Sequence, residues 1–209
     1  LTLAVMLSVR IIDPSFIESV RLRYFDTLIT QPRNAEPANV VTVNIDEAAL
    51  DQYGQYPFPR STYAQIILDL YKHNAGLVVL DILLADGDRF NQDAVLANTL
   101  KKYPVILSNV PSDKTKNDPR KPGAAVLGPE NMDKIVQYPG IIANIPVLES
   151  SAAGIGTVNT LPEIDGVNRR IPLICGVNDK LYPSLAMETL RVAAGDTTFQ
   201  VKLLSLIHI

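Results

Sequence analysis

The chain has 209 residues, 19 basic and 22 acidic side chains, a net charge of −3 and 47% hydrophobic residues, with one Cys and no Trp. A chain of that length buries roughly 70% of its unfolded surface without a disulfide or metal staple, and its apolar content excludes a disordered polymer. One Cys and two His exclude a disulfide framework, a Cys-based zinc site and a His-rich metal centre, while the mild acidity argues against a nucleic-acid binder.

Residues 1–12, LTLAVMLSVRII, are apolar apart from Thr2, Ser8 and Arg10. A membrane-spanning helix needs about 20 such residues, so this stretch reads as the end of a span that begins upstream, with a core helix as the alternative. The start at Leu1 and the apolar finish VKLLSLIHI predict a fragment of a longer protein. Asp13-Pro14 marks the start of a helix, with Ile17, Val20, Tyr24 and Leu28 at helical spacing. That helix should fade by Pro32, and residues 31–39 read as a polar linker.

VVTVNID (40–46) is rich in β-branched residues and predicts a buried strand with a turn at Asp46-Glu47. Pro57 and Pro59 remove backbone donors and keep 53–61 irregular. Ser61 is placed to cap a helix whose apolar face is Tyr63, Ile66, Ile67, Leu70 and Tyr71, ended by Gly76. GLVVLDILL (76–84) is a continuous apolar run, as in a strand covered on both faces. DAVLANTLKK (93–102) and YPVILSNV (103–110) repeat the helix–strand unit. Alternation at this spacing predicts a parallel sheet with right-handed crossovers.

The proline-rich stretch 111–131 reads as a long exposed loop. IIANIPV (141–147), GIGTVNT (154–160), the turn PEIDG (162–166) and RRIPLICGV (169–177) predict a meander or hairpin, and Pro183 opens a last helix closed by Gly195. The fold expected is therefore α/β: a single domain with a largely parallel central sheet, flanking helices and a C-terminal meander or hairpin, truncated at its C-terminus.

Asp46 and Asp81 end two predicted parallel strands, the side of an open α/β sheet where ligands usually bind. With Glu47 and Asp86 they could form an acidic pocket for Mg²⁺ or Ca²⁺, or Asp46 and Asp81 could simply accept hydrogen bonds from backbone amides. Arg60 follows Pro59 at a helix start, where it either bridges to Asp46 or Asp81 or binds an anion. In the pair Arg169-Arg170, a strand would turn one side chain in and the other out. There is no Walker loop, HExxH or GxSxG, and Gly154-x-Gly156 continues with Asn159 where a dinucleotide fingerprint needs Gly. Cys175 lies in an apolar strand, where burial is expected rather than reactivity. A phosphorylation receiver is disfavoured because no Asp ends the third strand. No residue is nominated as catalytic and none as a metal ligand, and no cofactor is called for.

RLRYFDTL (21–28), VVTVNIDEAAL (40–50), YPFPRSTYAQII (56–67), GLVVLDILL (76–84), DGVNRRIPL (165–173) and YPSLAMETL (182–190) occur in an order that resembles the second type of CHASE domain (cyclases/histidine kinases associated sensory extracellular). The resemblance runs from about residue 13 to 195, with Phe58 where the family often has Trp. It implies an extracytoplasmic sensory module of a bacterial membrane receptor, facing the periplasm or extracellular space, with a nucleotide cyclase, histidine kinase or diguanylate cyclase as output. On that reading 1–12 ends an N-terminal transmembrane helix, 13–204 is an incomplete sensory domain and 205–209 is a tail of uncertain origin. The partners implied are a small-molecule or ion ligand, the cytoplasmic membrane and a second copy in a homodimer, with no nucleic acid. Asp46, Asp81, Asp86 and Arg60 are the candidate ligand-binding residues. Two other readings stand beside it: a soluble metal-dependent hydrolase or phosphotransferase using Asp46 and Asp81, and a dimerising module with no ligand.

Overall fold

The computed structural model describes residues 2–30, 39–121, 123–127, 135–159 and 162–202. They form two compact units, one from 1–46 with 161–170 and one from 47–160 with 171–209. Most of the linker expected at 31–39, and the tail 205–209, lie outside the described residues.

In the first unit, α1 (Thr2–Ile12) and α2 (Ser15–Ile29) meet at Asp13, whose φ of 42° breaks the helix. The Asp13 carboxylate accepts bonds from Arg10 on one side and Arg21 on the other, at 3.3 and 3.0 Å, and so ties the two helices across the break. Leu3, Met6, Leu7, Ile11 and Ile12 of α1 are all exposed. Eleven residues extend about 16 Å, and no described helix is long and apolar enough to cross a membrane. The strand expected at 40–46 is not formed. Among the described residues this segment pairs with no strand, and Val40, Val41 and Val43 are exposed, Val41 by 87%. β-branched composition favours an extended backbone, but a strand also needs a neighbour to receive its hydrogen bonds.

The second unit starts with the short helix α3 (Glu47–Tyr53) and then α4 (Arg60–Lys72). Pro59, not Ser61, is the N-cap, and the chain leaves the helix through Asn74 at φ 65° rather than at Gly76. β1 (Val78–Leu80) is shorter than the apolar run predicts, because the chain turns irregular at Asp81 to build the loop before α5 (Asp93–Lys102). β2 (Val105–Ser112) continues into what reads as loop. Further on come β3 (Ala124–Leu127), β4 (Gln137–Tyr138), β5 (Gly140–Ile142), α6 (Pro146–Glu149) and β6 (Gly154–Thr157). β7 (Ile174–Val177), β8 (Lys180–Pro183), α7 (Leu185–Ala193) and β9 (Phe199–Lys202) complete the order.

The chain is α/β, with mixed sheets in place of a largely parallel one. β2 is central: β1 and β6 flank its first half in parallel, and β5 pairs antiparallel with its last three residues. β3 and β9 form a separate parallel pair. In the third sheet β7 pairs parallel with β4 and antiparallel with β8. A C-terminal hairpin is present, but as β7–β8, later in the chain than the expected turn at 162–166; it is closed by Asn178-Asp179 with φ of 48° and 60°, as a two-residue turn requires.

Alternation along β2 sorts the layers. Val105 and Leu107 face the main core with Tyr63, Ala64 and Ile67 of α4 and Leu96, Ala97 and Leu100 of α5. Ile106 and Ser108 point the other way, in register with Gly154 and Gly156 of β6. There α7 lies directly on the sheet, since a Cβ at Gly156 would collide with the backbone of Leu185. The Gly-x-Gly pair therefore serves helix packing. Cys175 is fully buried in a smaller cluster with Ile141, Val177 and Tyr182, and burial pushes its thiol pKa up against the opposing contact with the Thr157 hydroxyl.

Candidate functional site

The loop leaving β1 is held from α4. The Arg60 side chain is 6% exposed; Nε donates to Asp93 Oδ1 at 3.0 Å and a terminal nitrogen donates to the Asp86 carbonyl at 2.6 Å. Asp93 Oδ2 in turn accepts from the Asp88 amide, and Asp88 Oδ2 from the Gln92 amide, each at 3.0 Å. Arg60 thus braces residues 86–93, and its acidic partner is Asp93 in place of Asp46 or Asp81. The structure brings Arg60 and Asp86 together through the Asp86 backbone, while the Asp86 carboxylate pairs with Lys116 at 2.6 Å. Asp81 is exposed just beyond β1, and Asp46 closes the 1–46 segment of the other unit. Among the described residues no group of three or more His, Cys, Asp or Glu is placed to hold a metal ion, so the acidic metal pocket has no such cluster behind it.

Deeper at this sheet edge lies a buried polar network that sequence reasoning missed. Asn144 Nδ2 donates to Asn109 Oδ1 at 2.8 Å, to the Ser108 carbonyl at 2.9 Å and to Glu149 Oε1 at 3.2 Å, and Asn144 Oδ1 accepts from the Leu84 amide at 2.8 Å. Glu149 Oε2 accepts from the Arg120 amide at 3.0 Å. Asn109, Asn144 and Glu149 are all buried, and Asn109 Nδ2 has no partner among the described residues. The network stitches β2, α6 and the loop after β1 where a ligand crevice was expected, so this end of the sheet is filled by protein.

A cleft of about 370 Å³ opens instead beside the N-terminal end of β6. Its walls come from Arg120, Lys121 and Gly123, Ala153 and Ile155, Tyr182 and Pro183 at the end of β8, Glu188 and Arg191 on α7, and Asp196-Thr197. Gly123 lets two walls close together, because a Cβ there would meet the Thr197 carbonyl at 2.9 Å. Glu188, itself buried, takes a bidentate bond from Arg191 at 2.6 and 2.8 Å and a third bond from the Ile155 amide at 3.1 Å. The hydrogen bonds to Glu188, with the charges of Glu188 and Asp196, raise the Arg191 pKa against the opposing effect of burial. The Arg120 guanidinium donates to the Ala152 carbonyl at 2.8 Å and has no carboxylate partner among the described residues, nor has Lys121. Tyr182 is 5% exposed and its hydroxyl has no hydrogen-bond partner among the described residues. Arg120 and Lys121 sit in a segment whose sequence reads as exposed loop, so no local signal marked them.

In the first unit the DGVNRRIPL element finds its role. Arg169 is 2% exposed in its side chain and lies between two carboxylates, donating two bonds to Asp26 at 2.7 Å each and two to Asp165 at 2.7 and 2.8 Å. Hydrogen bonding from Arg169 lowers both acids, Asp165 to about 2 against the cost of desolvation. Arg170 points outward, pairs with Glu163 at 2.9 Å and lies over the Phe25 ring. The pair divides as one inward and one outward side chain, though from an irregular segment and not from a strand.

The first unit holds the Arg169 clasp, and the second holds the Arg60 brace and the cleft beside β6. The model of the CHASE2 domain family matches residues 1–207, and the chain belongs to that family, whose members are extracellular sensory domains of signalling receptors. Neither the curated proteins nor the solved structures contain a significant match.

Proposed function

We propose that the chain is the ligand-sensing domain of a bacterial transmembrane receptor, facing the periplasm or extracellular space and acting as a homodimer. Its output is a cytoplasmic nucleotide cyclase, histidine kinase or diguanylate cyclase. The observation that carries the reading beyond family membership is α1, a helix whose large apolar side chains are exposed and which runs into the Asp13 break and the clasped helix α2. Apolar side chains left in water cost free energy that a bilayer removes. Ligand binding in the second unit shifts the balance between two receptor conformations, and α1 and α2 carry that bias to the membrane.

The test is a fusion of the full-length gene's N-terminal region, through α2, to a reporter active only outside the cytoplasm. Reporter activity is the expected result; activity confined to a cytoplasmic reporter overturns the placement.

A further inference from the structure

We infer that Glu149 is a proton-binding site of the receptor, and that proton uptake there from an acidic exterior frees the end of a strap that walls the cleft. This rests on the sensing reading above and names the proton as a signal. Among the described residues two glutamates are buried, both in the second unit. Glu188 is neutralised by Arg191, as a buried carboxylate ordinarily requires. Glu149, 3% exposed, has no cationic side chain bonded to it among the described residues. Its charge is held by N–H groups alone: the Arg120 amide donates to Oε2 at 3.0 Å, and the Asn144 amide and Nδ2 donate to Oε1 at 3.2 Å each. All three groups can only donate, and a neutral carboxyl brings a donor of its own. A proton on Oε2 displaces the Arg120 amide; a proton on Oε1 turns that amide's bond from a charge-assisted one into a weaker neutral one. Asn144 Nδ2 keeps the Ser108 carbonyl and Asn109 Oδ1 as acceptors in either case, whereas the Arg120 amide has no second acceptor among the described residues.

The strap is the segment 114–121 that follows β2 and crosses Gly140, where a Cβ would meet the Lys114 carbonyl carbon at 2.5 Å. Its first half is fixed independently of Glu149. The Lys116 amide donates to the Ile141 carbonyl at 3.0 Å, its carbonyl accepts from the Ala143 amide at 2.9 Å, and Asn117 Nδ2 donates to the Ala85 and Ala143 carbonyls at 2.9 Å each. The second half hangs on Arg120, by its amide on Glu149 and by its guanidinium on the Ala152 carbonyl at 2.8 Å, and delivers Arg120 and Lys121 to the cleft wall. The charged and titratable groups around Glu149 come from the strap and from β8. They are Asp118 and Arg120, both exposed, and the buried Tyr182 phenol, which burial first, then the charges of Glu149, Cys175 and Asp118, push up. Lys116 is answered by Asp86. The buried side of α5, which packs on α6, carries Leu96, Ala97, Thr99 and Leu100, and β2 offers Ser108 and Asn109, none of them titratable. Loss of the Glu149 charge therefore loosens one end of the strap and leaves the other seated.

The experiment is an NMR titration of the isotope-labelled 209-residue chain from about pH 7.5 to about pH 4, the range that covers ordinary carboxylate titration. It follows the Glu149 carboxyl carbon, the Arg120 amide and amide exchange in 114–121, with exchange corrected for its intrinsic pH dependence. The Glu149 carboxyl and the Arg120 amide should move with one midpoint, and exchange at Arg120 should quicken by about tenfold at the acid end, as the loss of a charge-assisted bond predicts, while the β2 amides stay as they were. Glu149→Gln sets an amide NH₂ against the same donors, so its strap should show the acid-state exchange already at neutral pH and no step on acidification. Asp118→Asn should keep the step. A Glu149 carboxyl that stays ionised until β2 itself loses protection overturns the inference, as does an Arg120 amide that ignores the Glu149 titration, or a step that survives Glu149→Gln. The latch is read in the isolated chain, so its failure leaves the extracytoplasmic placement standing, and a failed reporter fusion leaves the titration standing. In the full-length receptor, output should change over the same pH range and lose that change in Glu149→Gln; a pH response kept by the variant overturns the latch and not the sensing reading.

Discussion

Arg169 meets Asp26 fork to fork: two parallel hydrogen bonds of 2.7 Å join residues 143 positions apart in the sequence. Asp165 grips the same guanidinium from another side, so α2 is fastened to the 162–170 segment through a single planar cation. Lysine carries the charge but cannot form two forks at once. Arg169→Lys should therefore speed amide hydrogen exchange in Ser15–Ile29 by about tenfold or more, while exchange in β2 stays as in the parent. Equal protection of α2 in both proteins would show the clasp to be idle.

The same clasp sets an acid limit. Asp165 has its carboxyl held down to about 2 by the Arg169 bonds, from an ordinary value of 3.8. A lowered folded-state pKa contributes stability above the unfolded value and loses it as the pH falls towards the folded value. Stability should therefore fall as the pH drops from about 4 to about 2, with Asp26 adding in the same direction. Denaturant melts across that range should show the slope, and Asp165→Asn should flatten it.

Leu107 is fully buried on β2, with strands on both sides and α4 and α5 in the same core. Leu107→Ala should cost about 2–5 kcal/mol, the transfer term plus the cavity left behind, measured by denaturant unfolding. A loss below about 1 kcal/mol would mean that the surrounding layer collapses into the space.

Asn144→Ala should be nearly as damaging despite the polar side chain. It strands the Leu84 amide in a buried setting and removes the side-chain donor to Asn109 Oδ1 and the Ser108 carbonyl, at a cost of about 2–4 kcal/mol. The comparison that checks the cause is Ser151→Ala. Ser151 is also buried, but its hydroxyl bonds only to a helix carbonyl, so its loss should stay near or below about 1 kcal/mol.

Arg60→Gln should free the loop before α5. Removing one member of a largely buried ion pair leaves Asp93 Oδ1 and the Asp86 carbonyl without their Arg60 donor, for an expected loss of about 2–4 kcal/mol. Limited proteolysis should then cut between 86 and 92 sooner than in the parent; an unchanged cleavage pattern would argue that the Asp88 and Asp93 bonds hold the loop unaided.

What could be read from the sequence was set by how local the cause is. Tyr63 and Ile67 on α4, Leu96 and Leu100 on α5 and the apolar run in β2 carry their own periodicity, so those elements are legible. The 40–46 strand is not, because β-branched residues state a preference that only a neighbouring edge can satisfy. The Asp93 partner of Arg60, 33 residues away, and the Asn109–Asn144–Glu149 network depend on tertiary placement, which no spacing rule reports. The cleft was missed for the same reason, although Gly154 and Gly156 did hold a usable signal: a helix must approach where small residues line a strand. Strand-end carboxylates drew attention to the edge of the sheet that the protein fills with its own side chains.

The unpaired stretch from Val40 to Ile45 has a practical consequence for anyone purifying the chain. Its exposed valines lie along a backbone with no strand beside it among the described residues, which is a template that a like segment on another molecule can copy. Concentrated preparations should thicken or precipitate through this ribbon while the helices and β2 remain native, so turbidity would rise with protein concentration well below the melting temperature. A lysine at Val41 would place a charge on the ribbon and keep such solutions clear.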